Sequence, residues 1–170
     1  YEEGGALYLT ATVVTKLDTH LPENAQVTFI LKGTRLVTNR YVDPLPFRRF
    51  VAYMERHPQA NSSAEAVLAG LLESIVNRIA DVIERVGADM DAASAEIFNR
   101  QKLPGSKHRR SQRDYRKLLE QIGQCGELIA KARESLASLA RLLAFVQQST
   151  VAMPQDVRTR LRTLSKDVFA

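Results

Sequence analysis

Two unusually long stretches of helical periodicity limit what this chain can fold into. In the first, Leu68, Leu72, Ile75, Ile79, Val82, Val86, Met90, Ala93 and Ile97 recur at gaps of three or four. In the second, Tyr115, Leu118, Ile122, Cys125, Ile129, Ala132, Leu136, Leu139, Leu143 and Val146 do the same. Such spacing gathers the apolar residues on one stripe of an α-helix, in the rhythm of a coiled-coil seam. Between the stretches, Lys102-Leu103-Pro104-Gly105-Ser106-Lys107 holds a Pro-Gly pair that stops a helix and turns the chain. The pattern predicts an antiparallel helical hairpin with arms 62–101 and 107–148, packed along the two stripes. At about 1.5 Å per residue, each arm is about 55–60 Å long. Globular helices usually run about 8–20 residues, so an elongated element is expected.

The flanks read differently. Residues 6–16, 27–31 and 35–39 are rich in β-branched and aromatic types and predict three strands, the last two joined through a Gly33-Thr34 hairpin turn. Asp43-Pro44 is expected to open a short helix, with Asp43 as its cap, Phe47, Phe50, Val51 and Met54 as its apolar face, and Pro58 marking its end. Ser62-Ser63-Ala64-Glu65 reads as a capping box for the first arm, with Ser62 as cap and Glu65 reaching back. After Met153-Pro154 a further helix begins, with Val157, Leu161, Leu164 and Val168 on its stripe. Its Arg158, Arg160, Arg162 and Lys166 are expected to be solvated or to face a partner. The fold class is therefore α+β: a small antiparallel sheet with a helix (1–60), a long helical hairpin (61–149), and the start of a last helix (150–170). There is no internal repeat.

A lone cysteine, Cys125, cannot staple a fold and sits on the apolar stripe, where it reads as a small core residue in a reducing compartment. The net charge of +5 permits an anionic partner without demanding one. No run approaches the roughly 18 apolar residues of a membrane span, and the opening Tyr1-Glu2-Glu3-Gly4-Gly5 has no leader pattern. With no initiating Met, and a helical pattern that runs uncapped to Ala170, the chain reads as a fragment.

Catalysis finds no support in these residues. There is no Gly-rich phosphate loop, no nucleophile turn and no carboxylate pair in a cleft-forming context. His20, His57 and His108 are scattered, without Cys, His or carboxylate neighbours at metal-ligand spacing. Glu73, Asp81, Glu84, Asp89 and Asp91, with Arg78 and Arg85, read as the solvated flank of the first arm or as ion pairs between the arms. The most polarised feature is the tip: Lys102, Lys107, Arg109, Arg110, Arg113, Arg116 and Lys117, against Asp114 alone. It lacks the interleaved aromatics of a nucleic-acid surface beyond Tyr115, so no nucleic-acid partner is expected. The alternative to the reading below is a free-standing helical-hairpin adaptor or nucleic-acid-binding module that uses 102–117.

The order of elements and several stretches carry a resemblance. The stretches are Tyr1-Glu2-Glu3-Gly4-Gly5-Ala6-Leu7-Tyr8-Leu9, Val27-Thr28-Phe29-Ile30-Leu31-Lys32-Gly33-Thr34-Arg35-Leu36-Val37-Thr38, Pro46-Phe47-Arg48-Arg49-Phe50 and Leu71-Leu72-Glu73-Ser74-Ile75-Val76-Asn77-Arg78. Together they resemble the soluble cytoplasmic part of the CorA family of divalent-cation transporters, including its zinc-transporting ZntB branch. The resemblance implies a homopentameric parent in the plasma or inner membrane. An α/β head would carry the helical hairpin, and the last helix would be the top of a stalk leading into two membrane helices beyond Ala170. It implies no enzymatic activity, and Mg²⁺, Co²⁺ or Zn²⁺ as the transported or regulatory ion, with no cofactor within this fragment. The fragment alone is expected to be monomeric or weakly associated. The family's ion-binding carboxylates match Asn77 and Arg78 on the first arm and Thr163 and Lys166 on the stalk, none of which is a carboxylate. Glu73 and Asp167 are the only carboxylates nearby and remain as metal candidates, a departure that leans towards the ZntB-like branch.

Overall fold

β-Branched and aromatic residues dominate the start of the chain, and there the backbone forms a four-stranded antiparallel meander. Its strands are β1 (Glu2–Glu3), β2 (Ala6–Thr15), β3 (Glu23–Lys32) and β4 (Arg35–Arg40), in the spatial order β1-β2-β3-β4. Four helices follow: α1 (Leu45–Arg56), α2 (Ala64–Gln101), α3 (Gln112–Gln148) and α4 (Gln155–Asp167). The computed structural model describes residues 1–19, 21–60, 62–101 and 112–168, without the side chains at 93, 96–101 and 112–115. The α+β class and the long pair of helices are as expected.

Register explains the sheet's two faces. Leu7 pairs with Leu31, Leu9 with Phe29 and Ala11 with Val27, and all six are buried. On the opposite face Thr10 pairs with Thr28, and their hydroxyls lie 3.0 Å apart in the open. The β3–β4 connection is the two-residue Gly33-Thr34 turn, with Gly33 at φ 54°. Strand β1 was not foreseen. Gly4 and Gly5 both take positive φ, 56° and 72°, the requirement of a type I′ turn. Tyr1 stacks on Tyr8 with ring centroids 4.5 Å apart.

Both helix starts differ from expectation by one residue. In α1 the capping position is Pro44, with no side-chain cap. Asp43 instead pairs with Arg40 at 3.2 Å and Arg48 at 3.5 Å, because proline after it pushes the first turn onward. Phe47 and Phe50 of α1 are buried, and Phe47 stacks on Phe29 at 6.1 Å with the Arg40 guanidinium 4.5 Å over its ring. Val51, placed on the apolar face from the sequence, is 54% exposed. In α2 the cap is Ser63, whose Oγ accepts from the Ala66 N–H at 3.2 Å. That shift puts Ala66 three residues after the cap, so Glu65 closes no capping box.

At about 1.5 Å per residue, α2 and α3 are each about 55 Å long. Among their described side chains, burial is concentrated in the halves nearest the sheet. In α2, Leu68, Leu72, Ile75, Ile79 and Val82 are buried, while Val86 and Met90 are half-buried. In α3, Leu128, Ala132, Leu139, Leu142, Leu143 and Val146 are buried, but Ile122 and Ile129 are about half exposed, at 44% and 46%. Over the described side chains, the seam therefore opens away from the sheet. The reason lies in what α3 packs against, chiefly β2 rather than α2. Because β1 is so short, much of one β2 edge would be left with unpaired backbone groups. Helix α3 covers that edge. Ser138 Oγ accepts from the Thr12 N–H at 2.9 Å, and Ser135 Oγ accepts from the Val14 N–H at 3.2 Å while donating to the Thr12 carbonyl at 2.9 Å. Strands, α1, the near halves of the arms and α4 share one continuous apolar core.

Candidate functional site

The first arm's near half meets α4 and the β2–β3 connection, and the polar residues gather there. On α4, Val157, Leu161 and Leu164 face the core, which turns Arg160 towards α2. Its Nε and Nη2 donate to the two carboxylate oxygens of Glu73 at 2.9 and 2.7 Å. This two-pronged contact is one-third exposed on each side, so it holds α4 on α2 more firmly than a surface pair. Glu73 keeps the Arg160 guanidinium above its ordinary pKa.

One turn further along α2, Arg78 is only 7% exposed. It donates from Nη2 to Asp18, in the connection after β2. That connection is tightened by Lys16, which holds a positive φ of 54°, and by the Thr19 N–H and hydroxyl donating to the Lys16 carbonyl at 2.9 and 2.8 Å. Arg85 reaches the same Asp18 oxygen at 3.5 Å. Hydrogen bonding and charge from these arginines, Arg78 first, hold the Asp18 carboxyl below the usual carboxylate range. The ion pairs of Arg78 and Arg85 thus run to the sheet side, where flank or inter-arm pairs were expected.

The metal candidates from the sequence are only partly brought together. Glu73 is engaged by Arg160. Asn77 is exposed beside the buried Arg78, and Thr163, Lys166 and Asp167 are exposed on α4. Among the described residues, no group of three His, Cys, Asp or Glu could hold a metal ion. His57 stacks on Tyr53 at 4.6 Å, with Nδ1 3.1 Å from the Tyr53 carbonyl oxygen, and His20 and His108 lie outside the described residues. So do Lys102, Lys107, Arg109 and Arg110 of the tip, and the side chain of Arg113. Arg116 and Lys117 are exposed, with Arg116 3.8 Å from Glu120. Cys125 is half-buried. The sequence did not single out Asp18 or Arg49. Arg49 lines a cavity of about 450 Å³ with Arg78, Asn77 and Glu73. Their only signal was charge in a loop and on a short helix, which by itself names no partner.

Among the described residues, no helix is long and apolar enough to cross a membrane. The fold is shared with the soluble domain of CorA from Methanocaldococcus jannaschii, with a TM-score of 0.78 at 10% identity, covering 99% of this chain and 63% of that one. It is shared as well with the ZntB cytoplasmic domain from Vibrio parahaemolyticus RIMD 2210633, at TM-score 0.67 and 9% identity, over 99% and 62%. In sequence, the chain is 24% identical over 168 residues to the magnesium transport protein CorA of Haemophilus ducreyi (strain 35000HP / ATCC 700724). The match takes in 99% of this chain, which spans half the length of that relative. The sequence model described as CorA-like Mg2+ transporter protein matches residues 1–168, and the chain belongs to that family.

Proposed function

We propose that this chain is the regulatory and assembly part of a CorA-like divalent-cation transporter, lying on the cytoplasmic side of a membrane in which the full-length protein is embedded. It carries no catalytic activity of its own. The observation that supports this reading best is the attachment of α4. This helix stands where the resemblance puts the stalk, and it is fastened to the long arm α2 by Val157, Leu161 and Leu164 and by the Glu73–Arg160 pair. A movement of the long arm would therefore be passed to α4 as a rigid-body displacement, the kind of element that can gate a pore. In the full-length protein, copies of this part associate as a pentamer around the stalk. The ion is a divalent cation, and the missing carboxylates at Asn77, Arg78, Thr163 and Lys166 argue against Mg²⁺ control through these positions and lean towards the zinc-transporting branch.

The test is flux. The full-length protein containing this chain, reconstituted in liposomes, is expected to admit Mg²⁺, Co²⁺ or Zn²⁺ as read by an entrapped indicator. Glu73→Gln, which removes the two-pronged acceptor for Arg160, is expected to change the flux while leaving the protein folded. No flux of any of the three ions would overturn the reading.

A further inference from the structure

We propose that the cavity between α1, α2 and α4 binds a small organic phosphate monoester. The inference is independent of the transport reading. It starts from Arg78, a guanidinium more than nine-tenths buried that nonetheless has one partner, Asp18, on one of its five N–H groups. Its Nε and Nη1 have no acceptor among the described residues, and Arg78 lines the cavity of about 450 Å³. Neither nitrogen is a buried polar atom left without a partner, so these donors face the open space of the cavity, where an anion can reach them.

The rest of the lining supplies what such an anion needs. Arg49 of α1 opens onto the same cavity, with no hydrogen bond or ion pair among the described residues, and Asn77 adds an amide donor. The two carboxylates in the lining are Glu73 and Asp81. Glu73 is held by Arg160, and Asp18, behind Arg78, is shared with Arg85. In the lining itself the guanidiniums of Arg49, Arg78 and Arg160 face the carboxylates of Glu73 and Asp81, with Asp18 behind Arg78 and Asp156 acting on Arg160 from α4. Arginine forks suit phosphate oxygens, which accept paired N–H donors. A phosphate monoester offers three such oxygens, enough to engage Arg49 and Arg78 from two different helices, where a carboxylate offers two. The volume exceeds what one phosphate fills, and Phe50 and Tyr53 form an apolar wall for the organic part.

Isothermal titration of the 170-residue chain with glycerol 3-phosphate, inorganic phosphate and glycerol tests this. Saturable one-to-one binding of glycerol 3-phosphate is expected, with inorganic phosphate weaker and glycerol silent. Arg49→Gln alters an exposed side chain and keeps the fold, as a thermal melt will verify. It is expected to weaken binding about tenfold or more, as is Arg78→Lys, because each removes charge-assisted hydrogen bonds. Arg35→Gln on β4 removes the same charge away from the cavity and is expected to leave binding unchanged. Absence of saturable binding, equal affinity for inorganic phosphate, or an equal loss in Arg35→Gln would each overturn the assignment.

Discussion

Ser135 does for β2 what a neighbouring strand would otherwise do. Its hydroxyl accepts from one backbone N–H and donates to a carbonyl two residues away along the strand. Ser135→Ala leaves both groups without that partner in a fully buried place, and is expected to cost about 1–3 kcal/mol in a denaturant melt. Ser138→Ala removes a single contact at the rim and should cost less. Read as sequence, both serines fall beside the apolar stripe, next to Leu136 and Leu139, and a hydroxyl there gives no sign that it will meet a strand edge. Asp18 was hidden for a related reason: its partners are sixty residues and more away, on α2. Its folded pKa is lowered, so its contribution to stability is present above the ordinary carboxylate range of about 4 and is lost as pH falls through the lowered value. Asp18→Asn is therefore expected to flatten the acid limb of the stability–pH curve below about pH 4. An unchanged acid limb would mean that the Arg78 contact is not made in solution.

At the scale of elements, the three-four spacing was enough to read two long helices, because no strand or loop tolerates that period. It was not enough to say which side of α3 faces inward. Leu128 and Ile129 are adjacent, and either could belong to the stripe; the common core takes in Leu128 and leaves Ile129 half exposed. The packing of α3 on the sheet goes with burial that falls off along the described part of the seam. Strand β1 escaped notice because Glu2-Glu3 is too short to show alternation, although Gly4-Gly5 carried the turn chemistry. Ile79, 1% exposed, and Ile129, 46% exposed, make the contrast testable. Ile79→Asp buries a charge among apolar neighbours, at a cost of several kcal/mol, and should lower Tm by about 10 °C. Ile129→Asp should stay within about 0.5 kcal/mol of the parent. Hydrogen exchange should likewise protect 68–82 and 128–146 more strongly than the distal turns. Equal losses from the two substitutions would restore the closed seam expected from the sequence.

For the whole molecule, charge arrangement decides more than net charge. The chain alone is expected to sediment as a monomer or a weak associate at micromolar concentration, since among its described residues no helix is long and apolar enough to cross a membrane and gather copies there. A stable pentamer would contradict that. The ion question turns on the same residues. Magnesium needs a near-octahedral set of hard oxygens, commonly including one or two carboxylates. The matched positions supply Asn77, Thr163 and Lys166, all exposed, and Arg78, a buried cation bound to Asp18. Glu73 already receives both prongs of Arg160, and drawing it onto a metal would break that two-pronged contact. Asp167 is exposed on the last turn of α4 and has no ion pair among the described residues, too little to build a site within one copy. Millimolar Mg²⁺ is therefore expected to leave Tm unchanged. Zn²⁺ accepts imidazole as well as carboxylate ligands, and His57 retains its Nε2 as a donor to a site shared between copies. Any gain with micromolar Zn²⁺ should then grow with protein concentration, because it needs more than one chain. A ligand present at about 100 times its dissociation constant adds about 2.7 kcal/mol, a shift of several degrees for a chain of this size. A rise of that size with Mg²⁺ alone, kept in Asp167→Asn and lost in Glu73→Gln, would show that Glu73 leaves Arg160 for the ion.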